Sequence, residues 1–181
     1  IGARFIQIST DCVFSGEKGS YSEADASDAF DMYGRTKFLG ETTEDESAAI
    51  TLRTSIVGRE ISESRHGLFE WFFSQTERPD NTIGGFAKAI YTGFTTIELA
   101  RIIAMVIREH PELTGVYHVS SEPINKFDLL CMVRDIMGLD IQIEPDNEFV
   151  CDRSLVMDRF AAATGYVAPS WREMIEEFSR S

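Results

Sequence analysis

The chain has 181 residues, of which 43% are hydrophobic and 26% charged, an ordinary balance for a globular protein that can bury a core. Its formal net charge of -13 argues against a nucleic-acid partner, which would require clustered Lys and Arg. No apolar run is long enough to cross a bilayer, and the cysteines Cys12, Cys131 and Cys151 form no CxxC pair. We therefore expect a protein of a reducing, cytoplasmic compartment without a membrane span or a metal site.

The first half of the chain alternates apolar runs with polar and helical segments. Arg4 to Ser9 is typical of a strand buried on both faces of a parallel sheet. Gly16 to Asp31 is rich in Gly, Ser, Asp and Glu and is predicted to be a loop. Tyr33 to Glu46 is predicted to be a helix, Ile50 to Thr54 a strand, and Leu68 to Gln75 a short aromatic helix.

The second half continues the alternation. Its predicted strands are Asn81–Gly85, Ala89–Tyr91, Val116–Val119 and Ile141–Ile143. Its predicted helices run from Thr95 or Thr96 to about His110, from Lys126 to Met137 with Gly138 as C-cap, near Ser154–Thr164 and near Ser170–Phe178. Strands that alternate with helices favour an α/β fold with a largely parallel sheet.

Three polar residues around the first strand suggest a catalytic site. Thr10 ends that strand, at the edge where open α/β sheets place their ligands. Tyr33 and Lys37 follow in the segment YGRTK, and residues four apart share one face of a helix. The three side chains are therefore expected to meet at one ligand. A Tyr and a Lys at this spacing also occur on ordinary helix surfaces, and only the surrounding segments favour the catalytic interpretation.

Carbonyl reduction is a reaction that needs these three residue types. A phenol can supply the proton that the carbonyl oxygen takes up if its pKa falls from about 10 toward the working pH. A neighbouring ammonium lowers a phenol's pKa, so Lys37 is expected to lower that of Tyr33. The hydroxyl of Thr10 can hold the carbonyl oxygen.

The order of these segments resembles the extended short-chain dehydrogenase/reductase superfamily. Within it, the chain is most similar to the dTDP-4-dehydrorhamnose reductase branch. The matching segments are ISTDCVFSG, the Tyr21-x-Glu23-x-Asp25 loop, YGRTKFLGE, LRTSIVGRE, FTTIELARII, GVYHVS and DRSLVMDRF with GYVAPSWREMIEEF. The resemblance implies a Rossmann-type sheet, a nicotinamide cofactor and a nucleotide-sugar substrate reduced at a 4-keto group.

The resemblance also implies roles for single residues. Tyr33 would be the general acid, Lys37 would bind the nicotinamide ribose, and Thr10 would bind the substrate carbonyl. Ser55 and Ile56 would lie near the nicotinamide. Cys12 would lie at the sugar and Arg153 near the nucleotide phosphate, where a surface salt bridge is the alternative role for an Arg.

Two positions depart from the family pattern. The rhamnose-pathway reductases usually carry Tyr where this chain has Cys12, and an aromatic residue, often Trp, where it has Ile56. Because both positions touch the sugar in the family, a different keto-sugar nucleotide, such as an N-acetylated one, fits the sequence as well as dTDP-4-dehydrorhamnose.

The superfamily's glycine-rich GxxGxxG turn has no counterpart in the sequence. Gly84-Gly85 lacks the further glycine and the helix start that such a turn needs. The residue that distinguishes NAD from NADP is likewise missing. We therefore expect this chain, which opens on the interior-like strand IGARFIQIST, to be part of a longer protein and to bind a dinucleotide poorly or not at all alone.

The predicted organisation has two parts. Residues 1–60 would be the C-terminal part of the dinucleotide-binding Rossmann domain with the catalytic Thr, Tyr and Lys. Residues 61–181 would be mainly a smaller α/β substrate-binding lobe that returns to the sheet near 115–120. A homodimer is possible because exposed sheet edges can pair.

Two other functions are compatible with the same fold. One is an epimerase or dehydratase of nucleotide sugars, since dehydratases usually place an acidic residue beside the catalytic hydroxyl, where this chain has Asp11. The other is a non-catalytic regulatory subunit that binds a partner enzyme. The intact Thr10, Tyr33 and Lys37 favour reduction.

Several further residues have a structural and a functional interpretation. His118 is expected to be a core or edge histidine, His66 to lie in a solvated loop and His110 to end a helix. The aromatic residues of LFEWFFSQ are expected to pack in the core or at a subunit interface, with a sugar or base pocket as the alternative. Cys12 is expected to be a packing residue, because no base lies near it in the sequence.

Overall fold

The computed structural model describes residues 3–42, 49–60, 67–76 and 80–181. Its strands are β1 (Phe5–Thr10), β2 (Ala49–Thr54), β3 (Ile56–Val57), β4 (Thr82–Tyr91), β5 (Phe94–Thr95), β6 (Gly115–His118), β7 (Ile124–Asn125) and β8 (Gln142–Asp152). Its helices are a 3-10 turn at Asp11–Val13 and α1 (Met32–Leu39), α2 (Leu68–Gln75), α3 (Thr96–Arg108), α4 (Lys126–Met137), α5 (Asp158–Thr164) and α6 (Trp171–Phe178).

The first sheet is parallel, with the strand order β1-β2-β6. Thr10 pairs with Thr54, so the carboxyl ends of β1 and β2 lie side by side. All six residues of β2 are buried, and all of them except Arg53 are apolar or β-branched, as is typical of a central parallel strand. The predicted first two strands and the strand near Val116 are confirmed. The division of the chain at residue 60 stays a prediction.

A second sheet in the order β7-β4-β8 lies in the later part of the chain. β4 is a single strand of ten residues, whereas the sequence predicted two short strands separated by residues 86–88. The long β8 explains the difference: it pairs in parallel with β4 over nearly its whole length, through a register shift between Phe86 and Lys88. β8 likewise extends well beyond the predicted Ile141–Ile143. Pairing with a strand that is distant in the sequence can lengthen a strand beyond the residues whose own pattern predicts it.

Helix ends follow local capping signals at three helices. The Thr95 side chain accepts the backbone N–H of Glu98 at the start of α3. Gly138 ends α4 in the left-handed conformation, with φ of 64°. Ser170 and Glu173 form a reciprocal capping box at the start of α6. These predicted helix limits are therefore confirmed to within a residue or two.

Two predicted helix limits are wrong. The helix predicted over Tyr33–Glu46 ends at Leu39, with Gly40 as its C-cap. The chain leaves the helix there because Glu41 turns inward to the Arg53 guanidinium, and residues 43–46 lie outside the described residues. The helix predicted near Ser154 starts only at Asp158, because Ser154 and Leu155 bind back to the loop near Tyr21.

The core joins the two sheets and is largely aliphatic and aromatic. Phe69 and Phe72 of α2 are fully buried in it, which confirms packing as the main role of the aromatic helix. Trp71 is 40% exposed on the opposite side of α2. No helix among the described residues is long and apolar enough to cross a membrane.

Candidate active site

One cavity of about 400 Å³ gathers all the site residues that the sequence predicted. Its walls come from the carboxyl ends of β1, β2 and β4, from α1, from the first residue of α4, and from β8 with the residue that follows it. The predicted residues among its lining are Thr10, Cys12, Tyr33, Lys37, Ser55, Ile56 and Arg153. The fold therefore brings all seven side chains to one cavity.

Thr10 is buried at the end of β1 and uses its hydroxyl twice. The oxygen accepts the backbone N–H of Cys12 at 3.1 Å, which caps the 3-10 turn. The hydroxyl donates to the Asp11 carboxylate at 3.2 Å. A substrate oxygen would therefore compete with Asp11 for the Thr10 proton.

Tyr33 lies near the start of α1 and is 57% exposed. Burial of the rest of its ring raises the pKa of Tyr33, and the charges of Asp11 and Asp31 add to this, while the Thr10 hydroxyl lowers it. The predicted lowering by Lys37 is absent: the net pKa shift is upward. The phenol is therefore held protonated in this structure, as a proton donor must be before it reacts.

Lys37 lies one turn further along α1, as the sequence predicted. Its Nζ atom donates a 2.6 Å hydrogen bond to the backbone oxygen of Ile8, and this contact ties α1 to β1. The ammonium is thus aimed at the strand end rather than at the Tyr33 phenol, which explains why it does not lower the pKa of Tyr33. The ammonium retains two further protons for a ligand.

Ser55 and Ile56 follow the carboxyl end of β2, where open α/β sheets bind their ligands. The Ile56 side chain is 50% exposed, although it is large and apolar. An exposed apolar surface beside the Lys37 ammonium and the backbone of Ser55 suits the nicotinamide end of a dinucleotide. Gly84 and Gly85 lie inside β4 rather than at a strand-to-helix turn, so they offer no cradle for its pyrophosphate.

Arg153 and Cys12 contact each other in the lining of the cavity. The guanidinium donates from Nη1 to the Cys12 sulfur at 3.2 Å and lies 3.9 Å from the Asp31 carboxylate. Its Nε atom is buried without a hydrogen-bond partner among the described residues. Burial, with the nearby Asp11, raises the pKa of the Cys12 thiol, so a thiolate nucleophile is disfavoured there. This pKa shift agrees with the predicted packing role.

A buried ionic cluster supports the floor of the site. Arg53 makes a two-pronged salt bridge to Glu41, with distances of 2.9 and 2.7 Å, and both side chains are 5% exposed. His118 is fully buried, 3.2 Å from the Arg53 guanidinium, and its other ring nitrogen lies 3.0 Å from the Tyr21 carbonyl. The prediction that His118 is a satisfied core histidine is therefore confirmed. His66 lies outside the described residues.

Sequence reasoning missed several lining residues, namely Tyr91, Lys126, Phe149 and Cys151. Tyr91 is the last residue of β4, just as Thr10 is the last residue of β1, and this position was the available signal. Lys126 also lines a second cavity of about 470 Å³, together with Trp71, Phe86 and the Gly84-Gly85 pair. Among the aromatic residues of α2, Trp71 is thus the one that lines this cavity, next to Leu68 of the same helix.

The thiols and metal-binding groups of the described residues are dispersed. Cys12, Cys131 and Cys151 are all free thiols. Among the residues that the structure covers, no three His, Cys, Asp or Glu side chains are grouped as metal ligands would be.

Comparison with known proteins gives one family and several relatives. A family model described as RmlD substrate binding domain matches residues 1–181. Methionine adenosyltransferase 2 subunit beta of Rattus norvegicus is 26% identical over 145 residues, 77% of this chain and 43% of that protein. Spore coat polysaccharide biosynthesis protein SpsK of Bacillus subtilis is 28% identical over 191 residues, 98% of this chain and 64% of that protein.

Among solved structures, the dTDP-4-dehydrorhamnose reductase of Bacillus anthracis in complex with NADP superposes with a TM-score of 0.80 at 24% identity. The match covers 98% of this chain and 65% of that one. This likeness confirms the predicted α/β fold with part of a Rossmann-type parallel sheet. The chain spans less than two thirds of the length of each of these three proteins.

Proposed function

The chain belongs to the RmlD substrate-binding domain family, and we propose that it supplies the catalytic and substrate-binding part of a nicotinamide-dependent reductase of keto-sugar nucleotides. The observation that carries the proposal is the meeting of Thr10, Tyr33 and Lys37 in one cavity at the carboxyl ends of the parallel strands. The solved reductase in complex with NADP and the polysaccharide-biosynthesis relative support the same class of reaction.

Tyr33 is the proton donor in this proposal. Its phenol is protonated at neutral pH, since the pKa of Tyr33 is raised. When a keto oxygen enters the cavity, the Thr10 hydroxyl turns from Asp11 to that oxygen and holds it beside the phenol. Tyr33 then transfers its proton to the oxygen as negative charge develops there.

Lys37 binds the ribose beside the nicotinamide. Its contact with the Ile8 carbonyl holds the ammonium at the strand end, where Ser55 and Ile56 flank the same space. A bound NADH or NADPH would supply the hydride that the carbonyl carbon accepts. The family relatives leave the choice between these two cofactors open.

The substrate's diphosphate and base extend away from the reacting carbon. Arg153 offers its partly unpaired guanidinium to phosphate oxygens. The Lys126 ammonium, which has no ion-pair partner among the described residues, stands between the two cavities and can bind the same diphosphate. Trp71 and Phe86 of the second cavity then offer aromatic surfaces to the base.

The test is reduction by the full-length protein of dTDP-4-dehydrorhamnose and of 4-keto UDP-N-acetyl sugars, each with NADPH and with NADH. Oxidation of the cofactor that depends on a keto-sugar nucleotide would support the proposal and identify the cofactor. Chromatography of the sugar product separates a reduced sugar from an epimerised or dehydrated one. An epimerised or dehydrated product would favour an epimerase or a dehydratase instead. If the protein turns over none of these combinations of keto-sugar nucleotide and cofactor, the proposed reductase function is contradicted.

The similarity to methionine adenosyltransferase 2 subunit beta favours a second candidate, a regulatory subunit of another enzyme. Such a subunit would bind the dinucleotide without turning over a keto sugar, and would bind a catalytic partner. Size-exclusion chromatography with the methionine adenosyltransferase of the same organism distinguishes the two: a stable complex together with no reductase activity would favour the subunit.

A further inference from the structure

Tyr91 belongs to the cavity but has no place in the proton-transfer chemistry. Tyr91 is the last residue of β4 and lines the same cavity as Thr10, Tyr33 and Lys37. It enters from the β4 wall, whereas Tyr33 and Lys37 enter from α1. A molecule bound in the cavity could therefore contact both tyrosines.

The Tyr91 hydroxyl is buried and unpaired. The residue is 8% exposed, and its oxygen has no hydrogen-bond partner among the described residues. Two other tyrosines of the chain differ: the Tyr166 hydroxyl donates to Glu98 at 2.8 Å, and the Tyr21 oxygen accepts the Gly16 N–H at 3.2 Å. A buried hydroxyl without a partner destabilises the folded state, so its retention suggests a ligand that completes it.

Packing fixes where this hydroxyl points. The Tyr91 ring lies 5.6 Å from that of Trp171, whose indole N–H is anchored on the Glu122 carbonyl at 2.7 Å. A Cβ atom added to Gly93 would lie 2.4 Å from the Tyr91 hydroxyl and 2.4 Å from the Ser55 carbonyl. The phenol therefore reaches the turn that carries Ser55, and the absence of a side chain at Gly93 makes room for it.

The electrostatic surroundings keep this phenol a donor. Burial raises the pKa of Tyr91 well above its ordinary value, and the charge of Asp11 adds to the shift. Tyr91 is therefore protonated at neutral pH. A fixed, protonated phenol binds an acceptor oxygen, and a hexose offers such oxygens all around its ring.

We propose that the Tyr91 hydroxyl donates a hydrogen bond to an oxygen of the substrate's hexose ring and thereby selects the sugar that the site accepts. This inference rests on the proposed function, because it requires that the cavity hold the sugar of a nucleotide sugar. Tyr91 is a specificity-determining residue in this role, separate from the proton donor Tyr33.

The experiment compares the full-length protein with its Tyr91→Phe variant, which keeps the ring and removes only the hydroxyl. Calorimetric titration with dTDP-glucose and with dTDP separates the sugar's contribution from that of the nucleotide. We expect Tyr91→Phe to weaken dTDP-glucose binding about tenfold and to leave dTDP binding unchanged. The KM for the keto-sugar nucleotide should rise by a similar factor, with a smaller change in kcat.

Thermal unfolding supplies a readout that a structural role would move in the opposite direction. Tyr91→Phe should unfold at the same or a higher temperature than the parent, because it removes an unpaired buried group. The control, Tyr166→Phe, loses the bond to Glu98 and should unfold at a lower temperature with both ligand affinities unchanged.

Three outcomes are distinguishable. Selective loss of dTDP-glucose affinity with retained thermal stability supports the role of Tyr91. Unchanged dTDP-glucose affinity and KM in Tyr91→Phe, in a parent that does reduce keto sugars, overturns the role and leaves the proposed function standing. A parent that binds neither dTDP nor dTDP-glucose, nor their UDP counterparts, overturns both.

Discussion

The Nζ atom of Lys37 lies 2.6 Å from the backbone oxygen of Ile8, two residues before Thr10. The helix that carries Tyr33 is thereby fixed against the strand that carries Thr10. One side chain thus sets the distance between the proposed acid and the proposed carbonyl-binding hydroxyl, in addition to any contact it makes with a cofactor.

Lys37→Met should remove the contact of the ammonium with the Ile8 carbonyl and its proposed contact with the cofactor. We expect the dissociation constant for the nicotinamide cofactor to rise about tenfold or more, since a charge-assisted hydrogen bond contributes about 1.5–3 kcal/mol. Fluorescence titration of the full-length protein with NADPH and NADH measures this effect. Lys37→Arg, which keeps the charge and can still reach the Ile8 carbonyl, should recover part of the affinity; equal loss in both variants would contradict a role based on charge.

Tyr33→Phe should remove most of the reductase activity and leave cofactor binding nearly intact. Loss of a general acid lowers kcat by about 10²- to 10⁴-fold. The residue is 57% exposed and its hydroxyl contacts Thr10 at the cavity, so thermal stability should stay close to that of the parent. Steady-state kinetics with the keto-sugar nucleotide checks this, and an unchanged kcat would eliminate Tyr33 as the acid.

Arg153→Gln should raise the KM for the nucleotide sugar more than it lowers kcat, because a diphosphate is bound but does not react. A KM increase of roughly tenfold or more is expected for loss of a guanidinium–phosphate contact. The exposed Arg172, whose side chain lies 3.8 Å from Glu176 on α6, offers a matched control. Equal KM values for Arg153→Gln and Arg172→Gln would show that Arg153 forms only a local salt bridge.

Glu41→Gln should destabilise the protein strongly. The change leaves the buried Arg53 guanidinium without its two-pronged partner, which costs about 3–5 kcal/mol when one member of a buried pair is removed. Denaturant unfolding of the full-length protein measures the change. Glu176→Gln removes an exposed pair and should change the free energy of unfolding by less than about 1 kcal/mol.

His118 should make the protein acid-sensitive in a defined range. Burial, with the charge of Arg53, lowers the pKa of His118 from 6.5 to about 4, so the folded state resists a proton that the unfolded state accepts. The stability is therefore complete above pH 6.5 and declines as the pH falls toward 4, by about 3 kcal/mol in total. The free energy of unfolding should decline less steeply between pH 6.5 and 4 in His118→Gln than in the parent. An equal decline in both proteins would contradict His118 as the cause of the acid sensitivity.

The common location of Thr10, Tyr33 and Lys37, the proposed catalytic residues, could be predicted because its signals are local. The i,i+4 spacing of Tyr33 and Lys37 sets one helix face, and Thr10 ends an apolar run that has the character of a buried strand. Helix α4 could be predicted to its last residue, because Gly138 is a strong C-cap signal. The end of α1 could not be predicted from the sequence, because Glu41 binds Arg53, which lies on β2 and is distant in the sequence.

The sequence by itself therefore determined the type of fold, the positions of its main strands and helices, and the residues at the centre of the proposed chemistry. Only the tertiary structure decided the direction of the Tyr33 pKa shift, the length of β4 and β8, and the presence of Tyr91 in the cavity. The physical reason is the range of the interactions. Periodicity and capping act within a few residues, whereas desolvation, strand pairing and an unpaired buried hydroxyl depend on atoms that only folding brings together.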